Sequence, residues 1–340
     1  MSRNVKRIKY IDALKFLAIA GVLFLHCFNI VNPVMVKGIN LYDFHQFGRF
    51  GVPIFLCVSG ALLLNKKNYE LSEFLKKRLV RICYPLIFFS AILILINYTK
   101  DFFTAFWYSW MILGAYLTIP FINKIIQNST MKEIEIFLLI CCFTSIFYQI
   151  ASMINVKFSL DLNFFITPVT YLVLGYYLSK KEFSIKTNYL LIISILVMII
   201  TTILKMEFGN TFYIYPQLEV LYLPIDLGII QIIQCSSVFL FVRFIYEDGT
   251  GVFSSIKNIL EKEKINKFIV SVSRASYGIY MVHMVIMLKW IRPFFKAVKL
   301  SGKEMLLLYI ITFISLFLFS WIVTLILSRI PYIDKFSGYA

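Results

Sequence analysis

Apolar stretches long enough to cross a lipid bilayer recur along the whole chain, and they restrict the fold more than any other feature. A helix needs roughly 20 mostly apolar residues to cross a hydrocarbon core of ~30 Å. Inside lipid every backbone N–H and C=O must bond within the protein, which favours helices. Because 60% of the residues are hydrophobic and only 15% are charged, we expect an all-α integral membrane protein, and a nucleotide-binding α/β enzyme is excluded.

The apolar stretches predict about ten transmembrane helices in a single domain, 1–340. An even number of spans places both termini on the same side of the membrane. The predicted spans are 11–31, 47–64, 83–98, 103–121, 134–150, 164–178, 189–204, 220–244, 271–291 and 305–327.

The distribution of basic residues predicts the orientation. Most of the 34 Lys and Arg residues fall in the loops on the side of the N-terminus, and such loops are cytoplasmic in multi-pass proteins. Both termini are therefore expected in the cytoplasm, and we expect a bacterial cytoplasmic (inner) membrane. The stretch 289–303, which includes Arg292, does not follow this distribution, because it is basic although it lies on the predicted outer face. The net charge of +16 is assigned to membrane loops, and no nucleic acid partner is expected.

Polar side chains within the first predicted span share one face. At 3.6 residues per turn, Asp12, Lys15 and His26 lie within a narrow stripe, and Lys15 and His26 are separated by about 16 Å of helix rise. Ionisable groups in a membrane are costly and usually functional. The alternatives are that Lys15 extends its charge to the cytoplasmic boundary and that Asp12 is its helical ion-pair partner.

His26 and Arg49 are predicted to lie at similar depth, because a short connection joins their antiparallel spans. A neutral imidazole can accept a proton from a hydroxyl, and a guanidinium can hold an oxyanion or carbonyl. Together they indicate acyl transfer. His26 could instead be a packing histidine, and Arg49 could extend its charge to the outer headgroups.

Two further groups of residues are candidates for substrate or donor binding. Tyr280 and His283 lie on one face of the ninth predicted span, although a buried histidine bonded to a neighbouring hydroxyl fits the pattern equally well. Arg78 and Arg81 stand one turn apart before the third span, where they could bind donor phosphates or lipid headgroups. Asp226, next to Pro224, is expected to be structural.

The cysteines do not indicate a metal site. All six lie in or beside apolar runs, without CxxC spacing, and the chain has only three histidines. We therefore expect no metal.

Five segments together, in chain order, resemble acyltransferase family 3. They are YIDALKFLAIAGVLFLH, RFGVPIFLCVSGALLL, KKRLVRICYP, WYSWMILGAYLTIP and SRASYGIYMVH. The resemblance implies a membrane O-acyltransferase of about ten helices, most commonly an O-acetyltransferase. It implies acetyl-CoA or another acyl-CoA as the cytoplasmic donor, and a hydroxyl of a surface polysaccharide or lipid-linked sugar as the acceptor. The chain is similar to compact members that lack a fused extracytoplasmic domain.

The resemblance also implies roles for particular residues. His26 would be the essential histidine, and Arg49 would be the arginine that precedes the Ser-Gly pair, here Ser59 and Gly60. The family usually has Arg where this chain has Lys15, and the two are not equivalent at bidentate sites.

The same architecture could serve a protein of another class. An exporter or flippase of a polysaccharide or lipid-linked sugar would also place charges inside the membrane. An acyltransferase acting on a small substrate at the cytoplasmic face, or on a membrane lipid, would keep the fold and move the acceptor. The expected partners are membrane lipids, acyl-CoA and a surface glycan or lipid-linked oligosaccharide, and a homodimer is left open.

Overall fold

The computed structural model describes residues 7–30, 35–36, 39–65, 70–98, 102–154, 156, 162–208, 226, 228–298, 300 and 302–340. Nearly all of this part of the chain is helical, as predicted. The helices are α1 (Lys9–Phe28), α2 (Gly51–Leu63), α3 (Leu71–Leu95), α4 (Phe102–Ala105), α5 (Trp107–Gln127), α6 (Met131–Met153), α7 (Pro168–Lys180), α8 (Thr187–Phe208), α9 (Ile229–Asp248), α10 (Val252–Glu261), α11 (Glu263–Ile286), α12 (Arg292–Ala297) and α13 (Gly302–Leu327). A hairpin of two-residue strands, β1 (Met35–Val36) and β2 (Ile39–Asn40), precedes a 3₁₀ helix at Leu41–Gly48.

Nine helical segments in the described residues are long and apolar enough to cross a membrane, whereas the sequence predicted about ten. The difference is span 164–178, because α7 has only 13 residues. Pro168 begins this helix, since proline lacks the N–H that an earlier turn would require. A helix of this length rises about 20 Å, less than the apolar thickness of a bilayer. Most of residues 220–227, at the start of another predicted span, lie outside the described residues.

The short helix α7 packs directly against α2 through two glycines. A Cβ at Gly60 would lie 1.8 Å from the carbonyl oxygen of Leu172, and one at Gly175 would lie 1.9 Å from that of Cys57. Such close backbone contact is possible only where both helices present small residues. Tyr171 and Leu172 of α7 are fully buried. The helix therefore lies inside the bundle, largely surrounded by protein.

Helix α1 is central, and two of its faces meet different neighbours. The face with Ala18 and Gly21 packs closely against Gly48 and Gly51 at the start of α2. The face with Asp12, Lys15 and His26 lies about a third of a turn away and meets α11. The predicted polar stripe is therefore turned toward protein.

Both described ends of the chain lie at one end of the bundle. Lys9 at the start of α1 pairs with Glu261 at 2.8 Å, and the backbone N–H of Ala340 donates to the carbonyl of Arg274 at 2.8 Å. We call this the terminal end, and we call the opposite end, where α1 finishes at Phe28, the far end. The membrane side of each end stays a prediction from the basic residues.

The last helices differ in detail from the sequence-based expectation. Between the predicted spans 220–244 and 271–291, Lys262 adopts a non-helical backbone with ψ of 133° and separates α10 from α11. The basic stretch expected as a loop continues α11 through a π-helical turn at Met287–Ile291 into α12. Residues 299 and 301 lie outside the described residues.

Candidate functional site

A cavity of about 790 Å³, including its open mouth, lies between α1, α2, α3, α5 and α11. It occupies the half of the bundle nearer the terminal end. Five of the predicted site residues line it, and tyrosines form much of the remaining wall. The predicted residues are Lys15, Ser59, Arg78, Arg81 and Tyr280, and the additional tyrosines are Tyr108, Tyr116 and Tyr277. The structure thus brings together candidates from four separate sequence segments.

Three cations face this cavity. The guanidinium of Arg78 lies 5.9 Å from the ring centre of Tyr116, and Arg81 follows one helical turn later. The described lining of the cavity holds Lys15, Arg78 and Arg81 and no carboxylate. The cavity is therefore positively charged, and such a site favours an anionic ligand such as a phosphate.

Asp12, the first residue of the predicted polar stripe, is bonded to protein groups. Its carboxylate accepts from Arg7 Nε at 2.5 Å and Nη2 at 2.8 Å. It also accepts from the hydroxyl of Ser273 at 2.5 Å. The hydrogen bond to Asp12 raises the pKa of the Arg7 guanidinium, which lies before the first helix. The hydrogen bond from Ser273 joins α11 to α1, and the bonds from Arg7 fix the Asp12 side chain at the start of the polar stripe.

Ser59, the serine of the Ser-Gly pair, lies at the cavity wall. Its hydroxyl donates to the carbonyl of Phe55 at 2.9 Å, one turn earlier in α2. The oxygen can still accept a hydrogen bond from a ligand. Gly60, the second member of the pair, serves the close contact with α7 described above.

His26 lies on α1 beside His283 of α11, with ring centres 5.3 Å apart. His26 is half-buried, whereas His283 has no exposed surface. The Nδ1 of His283 lies 3.2 Å from the carbonyl oxygen of Ile279. A carbonyl can only accept, so Nδ1 carries the hydrogen, and Nε2 of the neutral ring is an acceptor. This Nε2 is buried and has no hydrogen-bond partner among the described residues.

Tyr280 connects the cavity to this histidine pair. Its ring lines the cavity, and its centre lies 5.6 Å from that of His283 one turn further along α11. Its hydroxyl donates to the carbonyl of Ala105 at 3.3 Å. A row of rings therefore leads from the cavity through Tyr280 and His283 to His26 in the far half of α1.

Arg49 lies between the 3₁₀ helix and α2, at the far end. Its Nη2 lies 3.1 Å from Nε2 of His45, whose Nδ1 donates to the carbonyl of Tyr42 at 2.5 Å. The segment that carries Arg49 packs on the Gly21 face of α1, and Gly21 lies about 140° around the helix from His26. A direct pairing of Arg49 with His26 stays a prediction.

A buried polar group near Arg49 was missed by the sequence reasoning. Lys205 of α8 donates to Gln231, to Gln234 at 3.3 Å and to Asp226 at 3.5 Å. Asp226 also accepts from the backbone N–H of Gly228 at 2.8 Å, just before α9. The predicted structural role of Asp226 agrees with this arrangement, although its neighbour Pro224 lies outside the described residues. Lys205 comes one residue after the predicted span 189–204, and a lysine at such a position is typical of the end of a membrane helix.

The arrangement separates two kinds of chemistry along one axis. Cations and tyrosines form a cavity in the terminal half, while an imidazole that can exchange protons lies in the far half. An anionic donor and a separate acceptor could therefore reach His26 from opposite ends of the bundle.

Comparison with known proteins identifies the family. The pattern of the acyltransferase domain family, acyltransferase 3, matches residues 8–328 of the 340 residues. Comparisons with curated proteins and with solved structures found no match. The family match includes α1, the cavity and the histidine pair. Since it extends over nearly the whole chain, this multi-pass helical protein belongs to acyltransferase family 3.

Proposed function

We propose that the protein is a membrane O-acyltransferase that moves an acyl group, most simply acetyl, from cytoplasmic acyl-CoA to a hydroxyl of a cell-surface polysaccharide or lipid-linked sugar. The proposal places it as a multi-pass protein in the bacterial cytoplasmic membrane, with both termini and the cavity mouth toward the cytoplasm. No metal takes part in the proposed reaction.

The observation that best supports the proposal is the row of rings, Tyr280 and His283, that connects the cationic cavity to His26. The phosphates of an acyl-CoA fit beside Arg78 and Arg81 at the terminal end, because guanidinium groups bind phosphate in a planar, bidentate manner. The extended pantetheine arm is comparable in length to the ~16 Å of rise between Lys15 and His26. A thioester at the end of that arm would reach Tyr280 and the histidine pair.

The proposed reaction uses His26 as the general base. The acceptor hydroxyl gives its proton to the imidazole while its oxygen attacks the thioester carbonyl. A C–O bond forms, the C–S bond breaks, and the imidazolium returns a proton to the leaving thiolate. Arg49 is proposed to stabilise the developing oxyanion, by charge and hydrogen bonding. The alternative route, through a transient acyl group on His26, would need the same residue.

An exporter or flippase of a polysaccharide or lipid-linked sugar is the alternative. Membership of an acyltransferase family favours group transfer, and the cations of the cavity favour a phosphorylated donor over a neutral sugar chain. The two functions differ in one outcome, because only the transferase leaves a covalent acyl label on the glycan.

The test uses membranes that contain the wild-type protein, His26→Ala or the control Asn29→Ala, which changes an exposed residue one turn away. Each is incubated with radiolabelled acetyl-CoA and the surface glycan of the source organism. We expect labelled glycan from the wild type and from the control. His26→Ala should give less labelled glycan by a factor of about 100 or more. Equal labelling by His26→Ala would remove the mechanism, and glycan that crosses the membrane without label would support the exporter.

A further inference from the structure

His283 is a buried acceptor that the proposed reaction does not yet use. Its Nδ1–H is held by the carbonyl of Ile279, and its Nε2 has no partner among the described residues although the side chain has no exposed surface. A buried acceptor without a donor is costly, by about 1–3 kcal/mol on general grounds. Such an atom therefore indicates a group that binds to it in another state of the protein.

The geometry identifies that group as the ring of His26. The ring centres are 5.3 Å apart, and each ring nitrogen lies about 1.1 Å from its own centre. Two nitrogens that point toward each other across this separation are about 3 Å apart, which is a hydrogen-bond distance. Turning the two rings into line, with their centres unchanged, gives this distance.

We propose that His283 is the positioning residue of a histidine pair, in which its Nε2 accepts the N–H of His26. This hydrogen bond selects the tautomer of His26, so that the other ring nitrogen of His26 keeps its lone pair toward the acceptor hydroxyl. Bases in enzymes are often oriented by a third group in this manner. The inference rests on the proposed function, in which His26 is the base.

Three observations support His283 as this residue. The row Tyr280, His283 and His26 places it between the cavity wall and the base. The bond to Ile279 fixes its own tautomer, so Nε2 is available only as an acceptor. The hydrogen bond that Ser273 donates to Asp12 joins α11 and α1 at the other end of the same face, which maintains the register of the two rings.

The kinetic test compares two substitutions of similar size. His283→Gln places an amide oxygen near the former Nε2 and can still accept, whereas His283→Leu fills the space without an acceptor. We expect His283→Leu to lower kcat by about 10- to 100-fold, with KM for acetyl-CoA and for the glycan within about twofold. His283→Gln should stay within about fivefold of the wild type. Full activity of His283→Leu, or an equal loss in both variants, would overturn the proposal.

A spectroscopic test does not depend on activity. The chain has three histidines, His26, His45 and His283, so three single substitutions assign the ¹⁵N-imidazole NMR spectrum. We expect His26 to show one protonated and one bare nitrogen in the wild type and in His283→Gln, and a mixture of tautomers in His283→Leu. An unchanged His26 spectrum in His283→Leu would refute the pair. If the wild type transfers no acyl group, the proposed function fails, and this spectrum still decides whether the pair exists.

Discussion

The Nζ of Lys205 and the Oδ2 of Asp226 lie 3.5 Å apart, and their side chains are 0% and 4% exposed. This pair joins the far end of α8 to Asp226, which lies three residues before α9 begins. Removing one partner from a buried ion pair leaves an uncompensated charge away from water, which is costly. The ion pair also shows that a full charge at the edge of a predicted span is buried beside an oppositely charged side chain.

The buried pair predicts a large loss of stability when one partner is removed. We expect Lys205→Met to destabilise the folded protein by about 3 to 5 kcal/mol, because Asp226 then loses its buried cation. Thermal unfolding of the purified protein in detergent measures the effect. Lys267→Met is the control, since Lys267 pairs with Glu263 while 74% exposed, and exposed pairs contribute about 0 to 1 kcal/mol. Equal melting temperatures for the two variants would contradict this prediction.

The arginines of the cavity are expected to act in donor binding. Arg78→Ala and Arg81→Ala should each raise KM for acetyl-CoA about tenfold, equivalent to about 1.4 kcal/mol of binding free energy. Their kcat should change by about twofold or less, because the interaction is present in both ground and transition states. Lys77→Ala, in the same turn of α3 but exposed and outside the cavity lining, should leave both constants unchanged. A loss confined to kcat would place these arginines elsewhere in the reaction.

The contact between α2 and α7 is expected to tolerate no side chain at Gly175. A Cβ there would lie 1.9 Å from the carbonyl oxygen of Cys57, so Gly175→Ala must separate two buried helices and should cost about 3 kcal/mol. Gly114→Ala is a matched control, because nothing lies within 4 Å of its added Cβ. Alanine is the better helix former, so this control should be more stable by about 0.5 to 1 kcal/mol. Melting temperatures in detergent compare the two, and no difference between them would be inconsistent with the packing.

The orientation can be tested by labelling from outside the cell. In a chain whose six native cysteines are replaced by serine or alanine, a cysteine is placed at Phe47 or at Lys267. A membrane-impermeant maleimide should label Phe47→Cys in intact cells and should label Lys267→Cys only after lysis. This follows from the basic residues near the terminal end, which are expected to face the cytoplasm. The opposite pattern would reverse the orientation and the proposed side of the donor.

The apolar stretches and the motif segments predicted the helical membrane fold and the family, because hydrophobic length and residue type are local properties of the chain. About ten spans were predicted, and nine helices of the described residues reach a membrane-spanning length, because the stretch 164–178 forms α7, which begins at Pro168 and has only 13 residues. Hydropathy does not distinguish a helix buried among other helices from one that crosses lipid. Lys205 was missed for a related reason, since a lysine next to an apolar run resembles a helix end.

The sequence alone determined the class of fold, the polar stripe of Asp12, Lys15 and His26, and the residues that resemble the family motifs. Only the tertiary structure decided which of these residues meet. It placed the arginines and Tyr280 around one cavity, His283 beside His26, and Arg49 beside His45. The physical reason is that the direction of a helix face depends on packing, and here close glycine contacts turn one face of α1 toward α2 and another toward α11.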